Sequence, residues 1–438
     1  MRILYGDVGG CMNILDQFGL FTTLVMDFLI LAYAYQVVYI CISIFKSKKK
    51  ELKDTPVRKR FAIFISARNE ESVIAELLDS LNAQQYPKEH YDVYVVADNC
   101  TDHTAEIAHL HGAVVYERFN KEEVGKGYAL NYLYTKVSSL KGRDYYDAFV
   151  VFDADNIVDC HFLMEVNKKL ASGKYDALTT YRNSKNFGTN WLSAAYSTWF
   201  LHEARHLNYV RDMIGAQCMI SGTGFVVTSS LMDENDGWPY YFLTEDIQFS
   251  VASTIQNKRI GYVDSAMLYD EQPTTMEQSW KQRLRWAKGF YQIDGKYLGS
   301  LTKGLCKEKG KRIAYYDILM TCLPCTLLTV ILVALALWIL GATLFMPYYI
   351  SLVLRQEMIH FLTGLLLGMW GSMMLLAAIT VVMEWKRIPA TPLEKIKYLP
   401  MFPMYMLTYI PITVQALYTN VTWTPIQHYS TSQLAMKK

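Results

Sequence analysis

The sequence predicts an α/β domain with a parallel sheet, joined to an α-helical transmembrane region, and three observations predict it. Hydrophobic residues make up 52% of the 438, but the excess lies in long apolar runs at the two ends. Between them, from about Phe61 to about Tyr269, β-prone runs alternate with amphipathic segments, the pattern of strands and helices wound into one sheet. One of these runs, Tyr146 to Phe152, stops abruptly at Asp153-Ala154-Asp155. Such a run is a strand buried on both faces, and ligands bind in the loops that follow strand C-termini.

The first apolar run, residues 21–45, is long enough to cross a bilayer and too long for a signal-peptide core. Lys46, Lys48, Lys49 and Lys50 follow it and assign its C-terminal side to the cytoplasm, leaving residues 1–20 outside. Asp27 and Gln36 within it are expected to face a neighbouring helix. The soluble domain then occupies residues 46–272. Its first strand, Phe61 to Ile65, leads through Ser66 and Arg68-Asn69-Glu70 to a helix with Ile74, Leu77, Leu78 and Leu81 on one face. A second strand, Asp92 to Val96, runs into Asp98. A third, Ala113 to Tyr116, leads to Gly125-Lys126-Gly127 and a helix beginning near Tyr128. The strand ending at Asp153 is the fourth. Ser66, Asp98 and Asp153 are then expected along one sheet edge, where a nucleotide fits.

Two carboxylates one residue apart call for a neutralising cation, and hard oxygen donors suit Mg²⁺ or Mn²⁺. Ser221-Gly222-Thr223-Gly224 is a glycine-rich turn that admits a ligand close to the backbone, or an ordinary turn. Leu243-Thr244-Glu245-Asp246 opens a helix, where an acidic pair either complements the dipole or does chemistry. In residues 273–312 a capping box, with Thr274 as N-cap and Glu277 at the third position, starts a longer helix. Trp280, Leu284, Ala287 and Tyr291 share one face, expected to lie on the membrane surface. Gln282, Arg285, Trp286 and Gly289 share the other, where a guanidinium suits a diphosphate and an indole suits a sugar ring. Arg283 and Lys288 are expected to be solvated or to meet lipid headgroups.

Residues 313–342, 358–383 and 398–420 read as three further spans. Pro400, Pro403 and Pro411 should kink the last one. A basic cytoplasmic loop, 384–397, separates the last two, and residues 421–438 form a tail. Four spans place both termini outside and the α/β domain inside. Cys322 and Cys325 sit in an apolar run around Pro324 and read as membrane-embedded rather than redox groups. A net charge of +2 without a basic stripe argues against a nucleic-acid partner.

Asp98, Asp153-Ala154-Asp155, Thr244-Glu245-Asp246 and Gln282-Arg283-Leu284-Arg285-Trp286 resemble, in order and spacing, the motifs of the membrane-embedded family 2 glycosyltransferases. These include cellulose, chitin, hyaluronan and poly-N-acetylglucosamine synthases. The resemblance covers about Phe61 to Gly289 and the arrangement of spans. It implies a GT-A-type, Rossmann-like cytosolic domain, a UDP-sugar donor and a divalent cation. It implies that Ser66, Glu70, Asp98, Lys126, Asp153, Asp155, Gln282 and Arg285 bind the donor, with Asp155 and Asp153 holding the metal. Asp246 would be the general base, and Gly222, Thr223, Gly224, Glu245 and Trp286 would meet the acceptor. Asn156 stands where several members have histidine, and Asn99 where acidic or glycine residues are common, which bears on subfamily. The implied activity is inverting transfer to the end of a growing β-linked polysaccharide, coupled to export across the plasma membrane. Two alternatives stay open: a synthase that adds one sugar to a lipid acceptor, like ceramide glucosyltransferase, and a nucleotide-binding membrane regulator without turnover. Neither the sugar, the linkage nor any accessory export subunit is written in the sequence.

Overall fold

The computed structural model describes residues 2–46, 54–423 and 428–431, with side chains from Leu15 in the first helix. Lys48, Lys49 and Lys50 of the basic cluster lie outside the described residues. One helix, α1 (Arg2–Phe45), takes the place of the expected external segment and span, and its candidate span is Leu15–Phe45.

The α/β domain follows as β1 (Phe61–Ala67), α2 (Ile74–Asn82), β2 (Tyr91–Asp98), α3 (Thr104–Leu110), β3 (Val114–Arg118), α4 (Lys126–Lys141) and β4 (Ala148–Asp153). It continues with β5 (Ile157–Val158), α5 (Phe162–Leu170), β6 (Ala177–Ser184) and α6 (Trp191–His202). α6 runs through a π-helical turn, Glu203–Asn208, into α7 (Tyr209–Ile214). β7 (Phe225–Thr228), α8 (Ser229–Glu234), α9 (Glu245–Ile255) and β8 (Ile260–Asp270) complete it. The strands form one eight-stranded sheet in the order β3-β2-β1-β4-β7-β6-β8-β5. β3, β2, β1 and β4 are parallel, as expected. β7 is antiparallel to both neighbours, so the sheet is mixed rather than wholly parallel. The reason lies in the glycine-rich turn, which ends above β4, with Gly224 N–H donating to Val151 O at 2.9 Å, so that the chain must run back down. Alternation along β1 sends Ala62 and Phe64 into one core and Phe61, Ile63 and Ile65 into the other, which fixes its register.

Next comes α10 (Met276–Lys307), 32 residues long. Its N-cap is Thr275, which accepts from Gln278 N–H, rather than Thr274. Then follow α11 (Arg312–Cys322), α12 (Thr326–Ala342), α13 (Tyr348–Met383), α14 (Pro392–Lys397), α15 (Phe402–Leu407) and α16 (Tyr409–Tyr418). Among the described residues, three helical stretches are long and apolar enough to cross a membrane: Leu15–Phe45, Thr326–Phe345 and Tyr348–Met383. The expected span over 313–342 is interrupted at Leu323-Pro324-Cys325, and α11 buries Tyr315, Ile318 and Leu319 against protein. The expected fourth span is broken into α15 and α16. The ten residues of α16 reach about 15 Å, half a bilayer core. Pro403 falls in the first turn of α15, where its missing N–H costs nothing; Pro411 does the same in α16.

The apolar face of α10 is covered by protein rather than by the membrane surface. Leu284 packs on Ile412 and Ala416, Trp280 Nε1 donates to Gln415 Oε1 at 2.7 Å, and Tyr291 OH donates to Thr413 O at 3.0 Å. Two expectations for this helix are corrected by the same contacts. Arg283 is fully buried, its guanidinium over the Tyr405 and Tyr409 rings, and it donates to Tyr405 O at 3.0 Å and Thr408 Oγ1 at 2.6 Å. Tyr405 lies in the last turn of α15, whose carbonyls need partners that Arg283 supplies. Lys288 donates to Ala416 O at 3.0 Å, near the C-terminus of α16.

Candidate active site

β1, β2 and β4 end at one level, with Ser66 opposite both Val96 and Asp153, and Asp98 closing β2. Above this edge lies a cavity of about 270 Å³. Ser66, Glu70, Asp98, Lys126, Asp153, Asp155, Gly222, Glu245, Asp246, Gln282, Arg285 and Trp286 all line it. Thr223 and Gly224, expected at the acceptor, do not. Thr223 is buried behind the aspartates, where its hydroxyl accepts from Asp153 N–H at 2.9 Å and donates to Asn156 Oδ1. Gly224 has φ +63°, and a Cβ there would collide with Leu268 at 1.8 Å, so the glycine is required by packing against β8. Both shape the floor of the site.

On that floor Lys126 Nζ donates to Asp153 Oδ1 and, at 2.7 Å, to Gly222 O. Asp98 is paired with buried Arg118 at 2.6 Å. Asp155 accepts from Glu271 N–H at 2.9 Å and from Asn156 Nδ2 at 3.3 Å. Burial pushes the Asp155 carboxyl up, but His428, Lys185, the Glu271 N–H and Arg182 outweigh it and hold the group below the usual carboxylate range. Asp153 and Asp155 thus present carboxylate oxygens to one wall, and Asp153 Oδ2 carries no hydrogen bond among the described residues. This is a donor set of hard oxygens that fits a divalent cation.

The opposite wall is the first turn of α9, and α10 holds it in place. Leu243, just ahead of that turn, gives its carbonyl to Arg285 at 3.0 Å and its N–H to Gln292 Oε1 at 3.1 Å. A Cβ on Gly289 would lie 2.4 Å from Thr244 Oγ1, so the two elements meet at their closest on glycine. Burial pushes Glu245 up to about 7, reinforced by Asp246 and opposed by Lys126 and Arg285. Asp246 is likewise raised by burial, against the Ile247 N–H, Lys126, Arg285 and Arg182. A carboxylate raised in this way is suited to take a proton near neutral pH. Gln282 brings a buried Oε1 that has no partner among the described residues, and Trp286 packs edge-on to Phe200 and Tyr196.

The cavity also gathers residues that the sequence reading did not single out. Arg182, at the end of β6, binds Asp270 and donates to Ser221 O at 2.9 Å, which links β8 to the glycine-rich turn. A charged residue closing a β-prone run was the available signal. Trp199, Phe200 and Glu203 come from α6 and its π-helical turn, spaced as one helical face. The C-terminal segment carried no legible signal. His428 Nδ1 lies 2.9 Å from Glu70, Tyr429 N–H donates to Glu271 at 2.8 Å, and Arg68 sits over the Trp423 ring. Burial opposes a charge on His428, but Glu70, Asp155 and Glu271 raise it to about 10.

The family model described as "Glycosyltransferase like family 2" matches residues 58–289, just over half of the chain. The chain belongs to glycosyltransferase family 2. The β-monoglucosyldiacylglycerol synthase of a Synechocystis species is 27% identical over 235 residues, which are 52% of this chain and 47% of that one. The poly-β-1,6-N-acetyl-D-glucosamine synthase of Staphylococcus aureus is also 27% identical over 235 residues, covering 52% of this chain and 54% of that one. The chain thus spans about half the length of the curated relatives it matches. Among solved structures, the mannosyltransferase PcManGT of Pyrobaculum calidifontis, in complex with GDP-Man and Mn²⁺, is similar with a TM-score of 0.54. It is 15% identical, and the match covers 90% of this chain and 98% of that one. The glycosyltransferase domain therefore has a GT-A-like fold, as its mixed sheet already indicates.

Proposed function

We propose that this glycosyltransferase moves a sugar from a nucleoside diphosphate, a UDP-sugar, to the end of a β-linked polysaccharide with inversion at the anomeric carbon. The observation that carries the reading is the cavity itself. It faces Asp153, Asp155 and Lys126 on one side against Asp246, Gln282, Arg285 and Trp286 on the other. A divalent cation held by Asp153 and Asp155 would neutralise the leaving diphosphate. Lys126 and Arg285 add fixed positive charge where negative charge develops. Asp246 takes the proton of the acceptor hydroxyl, whose oxygen attacks the anomeric carbon as UDP leaves. No second carboxylate is needed as a nucleophile, so an α-linked donor gives a β-linked product.

The three candidate spans and Lys46 support an orientation with the glycosyltransferase domain in the cytoplasm and the spans in the plasma membrane. Two of these spans lie between the domain and the segment after α13, which returns to the domain's side and, with no further span among the described residues, keeps His428 and Tyr429 there beside Glu70 and Glu271. This replaces the outward C-terminus that four spans required. Spans beside the cavity suit outward passage of product.

The test is full-length protein in lipid nanodiscs with Mn²⁺ or Mg²⁺ and a panel of UDP-sugars and GDP-mannose. Release of nucleoside diphosphate identifies the donor, and a product ladder supports the polysaccharide synthase. A single chloroform-soluble glycolipid instead makes it a lipid glycosyltransferase. No release from any donor would leave a nucleotide-binding regulator.

A further inference from the structure

Glu203 opens the π-helical turn after α6, and it lines the cavity together with Trp199 and Phe200, one turn earlier on the same helix. π-Helical turns inside α-helices recur at functional sites because they re-aim side chains that a regular helix would turn away. Phe200 meets Trp286 edge-on, with ring centroids 6.2 Å apart, and the Arg182 guanidinium lies over the Phe200 ring at 3.7 Å. Arg182 is committed to Asp270 and Ser221, and among the described residues Glu203 makes no hydrogen bond or ion pair. A half-buried carboxylate on a cavity wall with no protein donor of its own is free to accept from a ligand that displaces water there. Burial pushes Glu203 up to about 7, with Arg182 and Arg211 opposing and Asp246 adding to the rise, which places the two carboxylates within electrostatic reach.

Flat aromatic surfaces beside a carboxylate make a setting for a sugar ring, whose C–H face stacks while its hydroxyls donate. A diacylglycerol has one hydroxyl and no ring, and would leave both features unused. Resting on the reading of the cavity as a glycosyltransferase site, we infer that Glu203 binds the acceptor and that the acceptor is a saccharide. Its carboxylate accepts a hydrogen bond from a hydroxyl beside the attacking one, while the partly exposed Trp199 and Trp286 receive the terminal ring and Phe200 backs Trp286. Asp246 takes the attacking hydroxyl's proton, the new C–O bond forms at the anomeric carbon, and the bond to the diphosphate breaks with its electron pair on the leaving group. Glu203 keeps its protonation state throughout.

The experiment compares wild type with Glu203→Gln, full-length in nanodiscs, using the donor that wild type turns over. Cellobiose, N,N′-diacetylchitobiose and dioleoylglycerol serve as acceptors, and donor hydrolysis to water as the reaction without one. The expected result is a rise of about tenfold or more in KM for the disaccharide, with donor KM and hydrolysis held within about twofold. Unchanged disaccharide KM overturns the assignment, as does a parallel loss of hydrolysis and donor affinity, which marks a structural role. Use of dioleoylglycerol but of neither disaccharide also overturns it. Saturation-transfer NMR of the disaccharides on Asp246→Asn, with and without Glu203→Gln, reads the contact without turnover. Signal lost on adding Glu203→Gln supports the contact, and signal kept or absent from both overturns it. Absence of nucleotide release from every donor by wild type is a different failure, since it removes the glycosyltransferase reading and leaves that NMR comparison standing.

Discussion

Asp246 and Glu245 sit side by side on the first turn of α9, and burial raises both. As the proposed base, Asp246 must be ionised to act, so activity should rise with pH through the pair's apparent value, above the ordinary carboxylate range. Lys126 and Arg285 oppose the rise on Asp246, so Arg285→Gln disfavours its ionised form. The acid limb of kcat/KM should therefore move to higher pH, which a pH–rate profile measures. Asp246→Asn should lower sugar transfer by about 10²–10⁴-fold while UDP affinity, by calorimetry, stays near wild type. Charges that end strands or open helices were legible as to place, because the strand and helix ends themselves were; for the pair opening α9, spacing alone left dipole complementation equally open. Glu203 escaped because its place depends on a π-helical turn, which no residue spacing announces. Thr223 misled because a glycine-flanked hydroxyl looks the same in a ligand loop and in a buried floor.

At the scale of elements, α10 is the organising piece, since one of its faces holds the turn that carries Asp246 and the other holds α16. Gly289→Ala would drive a methyl into Thr244 and shift the turn that carries Asp246. We expect kcat to fall about tenfold or more, with an overpacking cost of about 1–3 kcal/mol seen as a lower melting temperature. The face bearing Gln282, Arg285, Trp286 and Gly289 was readable from helical spacing. The opposite face was misread because periodicity reports that a face is apolar and not what covers it. Arg283 was misread for a related reason: a lone arginine between lined faces reads as solvated, and only the broken end of α15 makes it a buried cap. The first four strands were legible as apolar runs, whereas the direction of β7 depended on where the glycine-rich turn delivers the chain.

For the whole molecule, the bidentate pair of Arg211 with Asp317, at 2.6 and 2.8 Å, joins α7 to α11, and Tyr39 OH from α1 adds a third bond at 3.1 Å. Both charges are almost completely buried. Asp317→Ala would strand the guanidinium, at an expected cost of about 3–5 kcal/mol, to be read from thermal unfolding in detergent. Orientation is checked in intact cells by Thr431→Cys placed in a variant whose eight native cysteines are replaced by serine. A membrane-impermeant maleimide should label it only after permeabilisation, and labelling of intact cells would overturn the proposed topology.

That same three-way lock sets a practical limit on dissection. The family match, residues 58–289, invites excision of a catalytic fragment, but the cut would remove Tyr39 and Asp317 from Arg211, and Tyr405, Thr408 and Tyr409 from Arg283. Two guanidiniums would be left bare within apolar surfaces that normally meet helices. Such a fragment should be recovered as aggregate by size exclusion, while the intact chain extracts as a monodisperse species. On these grounds the unit to purify and assay is the intact chain, together with the helices long and apolar enough to cross a membrane.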